Sequence, residues 1–192
     1  MALVSDAGLP AISDPGARLI RACLEAGVAV TVLPGPSAVE TALVASGLAG
    51  DRYQFLGFLP RSRTQLRRLC EELVAWPHPV VAFESAQRLP AALAVLADVQ
   101  PDRRLAVCRE LTKQFEEVAR GTAAELADRF REPPRGEITL VLGAAQPEVG
   151  DEETARAAVA ELVGEGVSRK RAAEVVARLT GVPRNVLYRT SL

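Results

Sequence analysis

Two short apolar runs alternate with two helical patterns in the first fifty residues. The runs cover residues 2–4 and 28–33, and a glycine-containing turn follows each of them. The helical patterns cover residues 17–26 and 37–46, where apolar residues recur at three- to four-residue spacing and Ser37 is placed to cap the second helix. Strand, helix, strand, helix in this order predicts a parallel sheet with right-handed crossovers.

Two strands and two helices bury too little apolar surface to form a good core. We therefore expect residues 1–52 to be the C-terminal part of a first α/β lobe whose remaining strands come from elsewhere. A chain that opens inside a strand indicates a truncated first lobe, a misassigned start codon or a partner chain.

A second α/β lobe is predicted over residues 53–146. Its five apolar runs predict a sheet of about five strands, and helical patterns separate several of them. In the last of these patterns, Thr122 and Glu125 have the spacing of a capping box. The predicted strands are 54–60, 80–83, 105–108, 116–120 and 137–142, and the predicted helices are 61–75, 89–97 and 123–131.

Three helical patterns follow a short linker and predict a small helical module over residues 151–192. They cover 152–164, 169–179 and 184–189, with Ser168 as a cap and Gly181 as a stop signal. The short glycine-containing turn before the last pattern is compatible with a helix-turn-helix unit. The alternative is a helical tail that only packs against its own chain.

Charge distinguishes this module from the rest of the chain. The formal net charge of the protein is −1, yet residues 167–192 carry six basic residues against the single acid Glu174. Residues 151–166 carry five acids and one base. The basic excess favours contact with RNA over simple packing.

The composition is that of a soluble globular protein, with 48% hydrophobic and 24% charged residues. The sequence shows neither a membrane-spanning run nor a signal peptide, so we expect a cytoplasmic protein without a membrane partner. Cys23, Cys70 and Cys108 are widely spaced and lack a CxxC or histidine pattern, which predicts buried reduced thiols and no metal site. We interpret His78 as a loop residue rather than a base.

Polar residues follow the apolar runs of the first lobe, where open α/β sheets bind their ligands. Asp6 and Asp14 are candidates for contacting a ligand, although Asp14 can equally form an Asx turn ahead of Pro15. GxGxxG, GxxxxGK[ST] and GxSxG are absent from the sequence, which argues against a common dehydrogenase, P-loop enzyme or hydrolase.

Seven motifs, taken together and in order, resemble the tetrapyrrole methylase superfamily. They are VSDAG (4–8), ISDPG (12–16), PGPSA (34–38), GFLP (57–60), FES (83–85) with Arg88, RELTK (109–113) and GE (136–137). More narrowly, they are similar to the bacterial branch that 2′-O-methylates a cytidine of 16S ribosomal RNA with S-adenosylmethionine. The residues around 172–173 and 186–188 resemble the helical C-terminal extension of that branch.

The resemblance implies two α/β lobes, the first incomplete here, with the methyl donor S-adenosylmethionine in the cleft between them, and a homodimer. By the same resemblance, twelve residues of the first lobe line the donor site. They are Ser5, Asp6, Ala7, Gly8, Ile12, Ser13, Asp14, Pro34, Gly35, Pro36, Ser37 and Ala38. Leu9 and Ala11 depart from the threonine and glycine expected in the family, and the family's first strand and N-terminal loop have no counterpart, so we expect about the first third to be missing.

Transfer of a methyl group to a ribose hydroxyl depends on in-line positioning and is helped by a base. Glu110 and Glu84, both at predicted strand ends, are the candidate bases, and Lys113 or Arg109 is a candidate for stabilising the developing alkoxide or holding phosphate. The alternative is a structural ion-pair network, Arg109 with Glu110 or Glu84 with Arg88. The candidate RNA-binding residues are Arg88, Arg109, Arg169, Lys170 and Arg171.

The leading hypothesis is therefore an RNA 2′-O-methyltransferase whose partner is 16S ribosomal RNA or the small ribosomal subunit. One alternative is a methyltransferase acting on a tetrapyrrole such as a precorrin or uroporphyrin, for which a cluster of arginines has no evident use. Another is a truncated, non-catalytic protein that binds RNA or dimerises.

Overall fold

The computed structural model describes residues 2–4, 8–145 and 151–188 of the 192-residue chain. Its contacts divide the chain into two units, residues 1–145 and residues 146–192. We call these the sheet unit and the helical unit and describe each by itself.

The sheet unit contains the five strands and five of the helices found in the described residues. In chain order they are α1 (Ala17–Glu25), α2 (Ala38–Ser46), β1 (Gln54–Phe58), α3 (Arg63–Glu72), β2 (Val80–Ser85), α4 (Leu89–Val99), β3 (Arg104–Arg109), β4 (Glu117–Thr122), α5 (Ala123–Arg129) and β5 (Glu137–Leu142). The predicted capping box is confirmed at the start of α5. The Glu125 amide donates to the Thr122 hydroxyl at 3.2 Å, and the Thr122 amide donates to the Glu125 carboxylate at 2.8 Å.

The five strands form one mixed sheet in the order β1-β2-β5-β3-β4. Only β1 and β2 are parallel, and the other neighbours are antiparallel. The predicted number of strands is correct, and helices separate some of the strands but not β3 from β4. Only residues 110–116 join β3 to β4, too few for a crossover helix, so these two strands form a hairpin.

The two strands predicted for the first lobe are not formed. Residues 2–4 and 28–33 belong to no strand in the described part of the chain, and the side chains of Val32 and Leu33 are 67% and 78% exposed. β-branched residues favour a strand only where a neighbouring strand accepts its backbone hydrogen bonds and covers its side chains. No neighbour does so here, and Val39 is the first buried residue among those described.

The sheet buries side chains on both faces. Helices α3, α4 and α5 cover one face, where Leu93, Leu96 and Leu126 pack against strand residues such as Val107 and Leu140. Helix α2 covers the other face with Val39, Ala42 and Leu43, which pack against Val81, Ala106, Cys108 and Val141. Strand residues therefore alternate between two apolar layers.

Side chains from the sheet also contact the backbone of α2. The Arg120 guanidinium donates to the carbonyl of Ser46 at 3.1 Å and to that of Ala45, at the C-terminal end of the helix. A cation at this end satisfies orphan carbonyls and interacts favourably with the helix dipole. The C-terminal end of α2 is thus held against the sheet.

An irregularity in β1 changes the alternation of its side chains. Phe55 pairs with Val81 and Phe58 with Phe83, so one extra residue lies between the two pairs. Gly57 has a φ of +68°, a left-handed conformation that favours glycine in a β-bulge. The bulge turns Phe58 to the same face as Phe55. Both rings contact Phe83 edge-on, with centroid distances of 5.6 Å for Phe58 and 5.0 Å for Phe55.

The helical unit consists of α6 (Glu152–Gly164), α7 (Arg169–Thr180) and α8 (Arg184–Tyr188), close to the predicted patterns. Asp151 caps α6 by accepting a hydrogen bond from the Thr154 amide at 2.8 Å. Gly181 ends α7 with a φ of 70°. Alanine and valine side chains of α6 and α7 form a small core with Val182 and Leu187.

No helix in the described ranges has both the length and the apolar character needed to span a bilayer.

Candidate active site

The C-terminal ends of three strands lie side by side along one border of the sheet. Strands β1, β2 and β3 run in the same direction, and Glu84 and Arg109 both pair with Ile138 of β5, from its two sides. This edge therefore brings together four motifs that lie far apart in the sequence, GFLP, FES with Arg88, RELTK and GE. We call it the strand-end edge.

Glu84 and Arg88 form a buried ion pair at the end of β2. The Glu84 side chain is fully buried, and its Oε2 accepts from Arg88 Nη2 at 2.7 Å while its Oε1 accepts from the Ser85 amide at 2.7 Å. The same Nη2 also donates to the carbonyls of Leu59 and Pro60 at 2.8 and 3.2 Å. Of the two roles left open for Glu84, these contacts support the ion-pair network, which joins the ends of β1 and β2.

A cavity of about 420 Å³ opens beside this ion pair. Its lining combines apolar and charged side chains. The lining residues are Phe58, Leu59, Arg61, Glu84, Ser85 and Arg88. Phe58 and Arg61 were missing from the residues selected on sequence. Arg61 directly follows the GFLP motif in the sequence, but only the bulge at Gly57 turns Phe58 into this position.

Glu110 follows β3 in a left-handed backbone conformation, with φ 51°. Its Oε1 accepts from the Glu137 amide at 3.0 Å and from Lys113 Nζ at 3.2 Å. These two donors, the amide first, lower the pKa of Glu110. Lys113 also donates to Glu137 Oε2 at 2.9 Å, and the two carboxylates, Glu137 first, raise the pKa of Lys113. The three side chains form one hydrogen-bonded cluster.

The ion pair considered for Arg109 and Glu110 is not formed. Arg109 Nε instead donates to Glu117 Oε2 at 2.9 Å, and its Nη1 donates to the carbonyl of Arg135 at 3.1 Å. Successive strand residues point to opposite faces, whereas Arg109 and Glu117 are direct partners in the antiparallel β3–β4 ladder. The hairpin register was the signal from which this pair could have been found.

Gly136 allows Glu110 to approach the backbone of β5. A Cβ at position 136 would lie 2.5 Å from Glu110 Cγ, and Gly136 has a φ of +97°. Any other residue would displace the Glu110 carboxylate and adopt a strained conformation.

Some of the segments predicted to line the donor site lie next to one another. A Cβ at Gly8 would lie 3.7 Å from the carbonyl oxygen of Pro36, and one at Gly35 would lie 3.8 Å from a methyl group of Leu9. Ser13 approaches the bulge of β1, since a Cβ at Gly57 would lie 3.8 Å from its hydroxyl oxygen. The loops containing Gly8 to Asp14 and Pro34 to Ala38 thus adjoin each other and the strand-end edge. Ser5, Asp6 and Ala7 lie outside the described residues.

The loop containing Gly8 to Asp14 also carries backbone strain. Ala11 and Ser13 have φ values of 74° and 56°, which are uncommon for residues with a side chain. Such conformations cluster at ligand-binding sites, where the surrounding structure maintains them. Ile12 lies between them with an exposed side chain.

Ser37 precedes α2 but does not cap it. Its hydroxyl donates to the carboxylate of Glu40 instead of accepting from an amide of the first turn. Tyr53 donates to the other carboxylate oxygen of Glu40 at 2.5 Å. The two hydroxyls, Ser37 first, lower the pKa of Glu40. The prediction of a Ser37 cap was therefore wrong, because its side chain is turned toward the Glu40 carboxylate and accepts from no amide of the first turn.

The cysteines are free thiols. Cys70 and Cys108 are buried, and burial raises the pKa of each to about 11. Cys23 is half-buried. Among the described residues, no group of three or more histidine, cysteine or acidic side chains could hold a metal ion.

One face of α7 is basic and exposed. Lys170, Arg171 and Arg178 lie on it, whereas Ala172, Ala173 and Val176 on the opposite face are buried. Arg171 is 3.6 Å from Glu174, and Lys170 and Arg178 form no ion pair with any described residue. Arg169 is half-buried. We call these exposed cations the basic face of α7.

Solved structures share the fold. The chain is similar to a conserved hypothetical protein from Aeropyrum pernix K1, with 17% identity and a TM-score of 0.54 over 97% of this chain and 71% of that chain. It is also similar to the methyltransferase CobJ, with 18% identity and a TM-score of 0.51 over 72% of this chain and 62% of that chain. At these identities the similarity shows the fold alone.

Relatives found by sequence are more similar to this chain than the solved structures are. The protein named ribosomal RNA small subunit methyltransferase I of Mycobacterium bovis is 46% identical over 188 residues, covering 97% of this chain and 66% of the relative. The protein of the same name from Synechocystis is 40% identical over 200 residues, covering 100% of this chain and 71% of the relative. The chain thus spans slightly less than two thirds of the M. bovis relative.

Two family models match the chain. Residues 148–192 match the RsmI C-terminal HTH domain. Residues 1–127, two thirds of the chain and the part that carries six of the seven motifs, match the model of tetrapyrrole (corrin/porphyrin) methylases. The resemblance seen in the motifs is therefore confirmed, and the chain belongs to the tetrapyrrole methylase family.

Proposed function

We propose that this protein is an S-adenosylmethionine-dependent methyltransferase that 2′-O-methylates a cytidine of 16S ribosomal RNA. The observation that carries the proposal is the 46% identity to a protein named ribosomal RNA small subunit methyltransferase I, which extends over 97% of the chain. The proposed partner is 16S ribosomal RNA or the small ribosomal subunit. A homodimer in the cytoplasm is part of the same proposal.

The arrangement of the first loops fits the proposed methyl donor. Glycines at positions 8 and 35 keep the facing backbones free of side chains, and the strained loop at Ala11 and Ser13 lies beside them. We propose that residues 8, 12–14 and 34–38 hold S-adenosylmethionine, together with residues 5–7. When bound, this cofactor supplies a methyl group on a positively charged sulfur. The loops would hold that group in line with the acceptor and exclude water.

Glu110 is the proposed base, and Lys113 is proposed to stabilise the developing alkoxide. Both are at the strand-end edge, and the Glu110 carboxylate accepts from Lys113 and from the Glu137 amide. The lowered pKa keeps Glu110 ionised at neutral pH, so it is ready to accept a proton, although it is a weaker base for that reason. Glu84 is better placed as a positioning residue, because both of its oxygens already accept hydrogen bonds.

The basic residues support an RNA substrate over a tetrapyrrole. The basic face of α7 exposes Lys170 and Arg178 without acidic partners among the described residues, and Arg171 has only a weak one at 3.6 Å. Such a surface suits a phosphate backbone. We propose that it binds RNA together with Arg169 and with Arg88 of the strand-end edge. Arg109 is a weaker candidate, since Glu117 and a carbonyl occupy its donors.

Replacing Glu110 with glutamine tests the proposed reaction. We expect the Glu110→Gln variant to lose about 100-fold or more in kcat, because a positioned base contributes roughly that much. The measurement is the transfer of radiolabelled methyl groups to small ribosomal subunits and to naked 16S ribosomal RNA. Calorimetric titration with S-adenosylmethionine should give the same Kd for variant and wild type.

Glu132→Gln is the matched control, since Glu132 is exposed and forms no ion pair or hydrogen bond with a described residue. Its rate should equal that of the wild type. A normal rate for Glu110→Gln would exclude Glu110 as the base. A wild-type chain that binds S-adenosylmethionine but methylates neither RNA substrate would contradict the proposed function.

A further inference from the structure

We infer that the cavity at the ends of β1 and β2 is a subsite for one unstacked nucleotide of the RNA, with its base against Phe58 and its phosphate on Arg61 and Arg88. The inference rests on the proposed RNA substrate and adds to it a specific contact site.

Arg88 is held in place while part of its guanidinium stays available. Within the described residues, Nη2 makes every side-chain hydrogen bond of Arg88, to Glu84 and to the carbonyls of Leu59 and Pro60. Nε and Nη1 have no acceptor among the described residues, and the side chain is 31% exposed. A cation fixed through one nitrogen retains donors in a defined direction, which suits an oxyanion such as phosphate.

The charge of the cavity is positive. The buried Glu84 carboxylate balances Arg88, and Arg61, which is exposed, forms no ion pair with any described residue. One net positive charge therefore faces the cavity from its two arginines. An anionic ligand complements this charge, and a neutral or cationic one does not.

The remaining wall of the cavity is aromatic. Phe58 is 60% exposed even though its ring packs edge-on against Phe83. An exposed ring held at the mouth of a charged cavity offers a flat face to a planar group. Single-stranded RNA presents such groups together with phosphates, and proteins bind its splayed bases by stacking on aromatic side chains. The exposed face of the Phe58 ring thus matches the base of one nucleotide, and the two arginines match its phosphate.

Two variants test the two halves of this subsite. The probes are a fluorescent single-stranded oligocytidylate and an abasic ribose-phosphate oligomer of equal length, and the measurement is fluorescence anisotropy over a salt series. Phe58→Leu should weaken binding of the oligocytidylate by about tenfold, the typical loss for one stacked base, and leave the abasic oligomer unaffected. Arg61→Gln should weaken binding of both probes and reduce the salt slope by about 0.7, as for one phosphate contact on a single strand.

The matched controls carry the same substitutions at residues that do not line the cavity. Phe115→Leu changes an exposed phenylalanine of the β3–β4 connection, and Arg104→Gln changes an exposed arginine at the start of β3, opposite the strand-end edge. Both should bind like the wild type, and all four variants should unfold at the wild-type temperature because the replaced side chains are exposed.

The outcomes separate the subsite from the proposed function. If the wild type binds oligocytidylate but Phe58→Leu and Arg61→Gln match their controls, the subsite is wrong and an RNA substrate still stands. If the wild type binds neither probe, or if uroporphyrin III displaces the oligocytidylate from this cavity, the proposed RNA substrate fails and the subsite with it.

Discussion

Arg103 is a buried cation that has no acidic partner among the described residues. Its Nε donates to the carbonyl of Gly143 at 2.7 Å, and its Nη1 donates to that of Leu73 at 3.1 Å and to the Gln100 side chain at 3.0 Å. Burial lowers the pKa of Arg103, but the main-chain oxygens around it solvate its charge. One side chain thus connects the end of α3, the end of α4 and the segment after β5.

Removing this guanidinium should destabilise the sheet unit. We expect Arg103→Met to lower the free energy of unfolding by about 3 kcal/mol, because several buried carbonyls lose their donors at once. The measurement is urea unfolding followed by circular dichroism. Arg104→Met replaces the adjacent, exposed arginine and should change stability by less than about 0.5 kcal/mol. Equal unfolding midpoints for the two variants would show that the Arg103 contacts contribute little.

Helix α2 is the element that connects the first loops to the sheet. Its apolar face packs on β2, β3 and β5, and Arg120 of β4 donates to its last carbonyls. Helix α1, by contrast, contains no buried residue. The proposed donor loop at residues 34–38 is therefore positioned mainly through α2.

Loss of Arg120 should loosen α2. We expect Arg120→Gln to cost about 1 kcal/mol, from a charge-assisted hydrogen bond at a helix C-terminus. Amide exchange in α2 should accelerate, while exchange in α4, on the opposite face of the sheet, should stay unchanged. Arg52→Gln, at an exposed arginine outside the helices and strands, is the control. Uniform acceleration in both helices would indicate global destabilisation instead.

The sequence predicted the helices and strands better than it predicted which residues and strands pair with one another. Thr122 and Glu125 determine a helix start locally, and the apolar runs of the second lobe correspond to real strands, because these signals depend on neighbours in the chain. The run at residues 28–33 has the same composition as a strand, but a strand also requires a partner, which composition does not report. For the same reason Arg109 was linked with its sequence neighbour Glu110 rather than with Glu117, its partner across the ladder.

At the scale of the whole molecule, the two units carry different parts of the proposed function. The sheet unit holds the strand-end edge, and the helical unit exposes the basic face of α7. The net charge of −1 conceals this division. The composition of the tail predicted the basic character, and the structure adds that the cations are on the side of α7 opposite its buried alanines.

Neutralising the basic face should weaken RNA binding without affecting the donor site. We expect the double variant Lys170→Gln/Arg178→Gln to reduce the slope of log Kd against log salt for 16S ribosomal RNA by about 1.5, from two lost phosphate contacts. The Kd for S-adenosylmethionine should not change. Arg52→Gln/Arg104→Gln removes the same charge from the sheet unit as a control. If both double variants lower the slope equally, the effect is one of net charge and the basic face has no special role.

The bulge at Gly57 has a consequence for how this edge tolerates change in length. Side chains of a strand alternate with a period of two, and the extra residue in β1 resets that phase just before Phe58. Deleting Gly57 would remove the extra residue and leave Phe58 and Leu59 on their present faces. A β-branched residue at position 57 that restored regular pairing without shortening the strand would instead rotate Phe58 toward the layer of α3 and α4 and turn Leu59 away from the core in which it is now buried. That single substitution, which leaves every charged group at the edge in place, would replace the exposed phenylalanine of the cavity wall with a leucine. The alternation of side chains along β1, as well as their identity, therefore determines which residue forms this wall of the cavity.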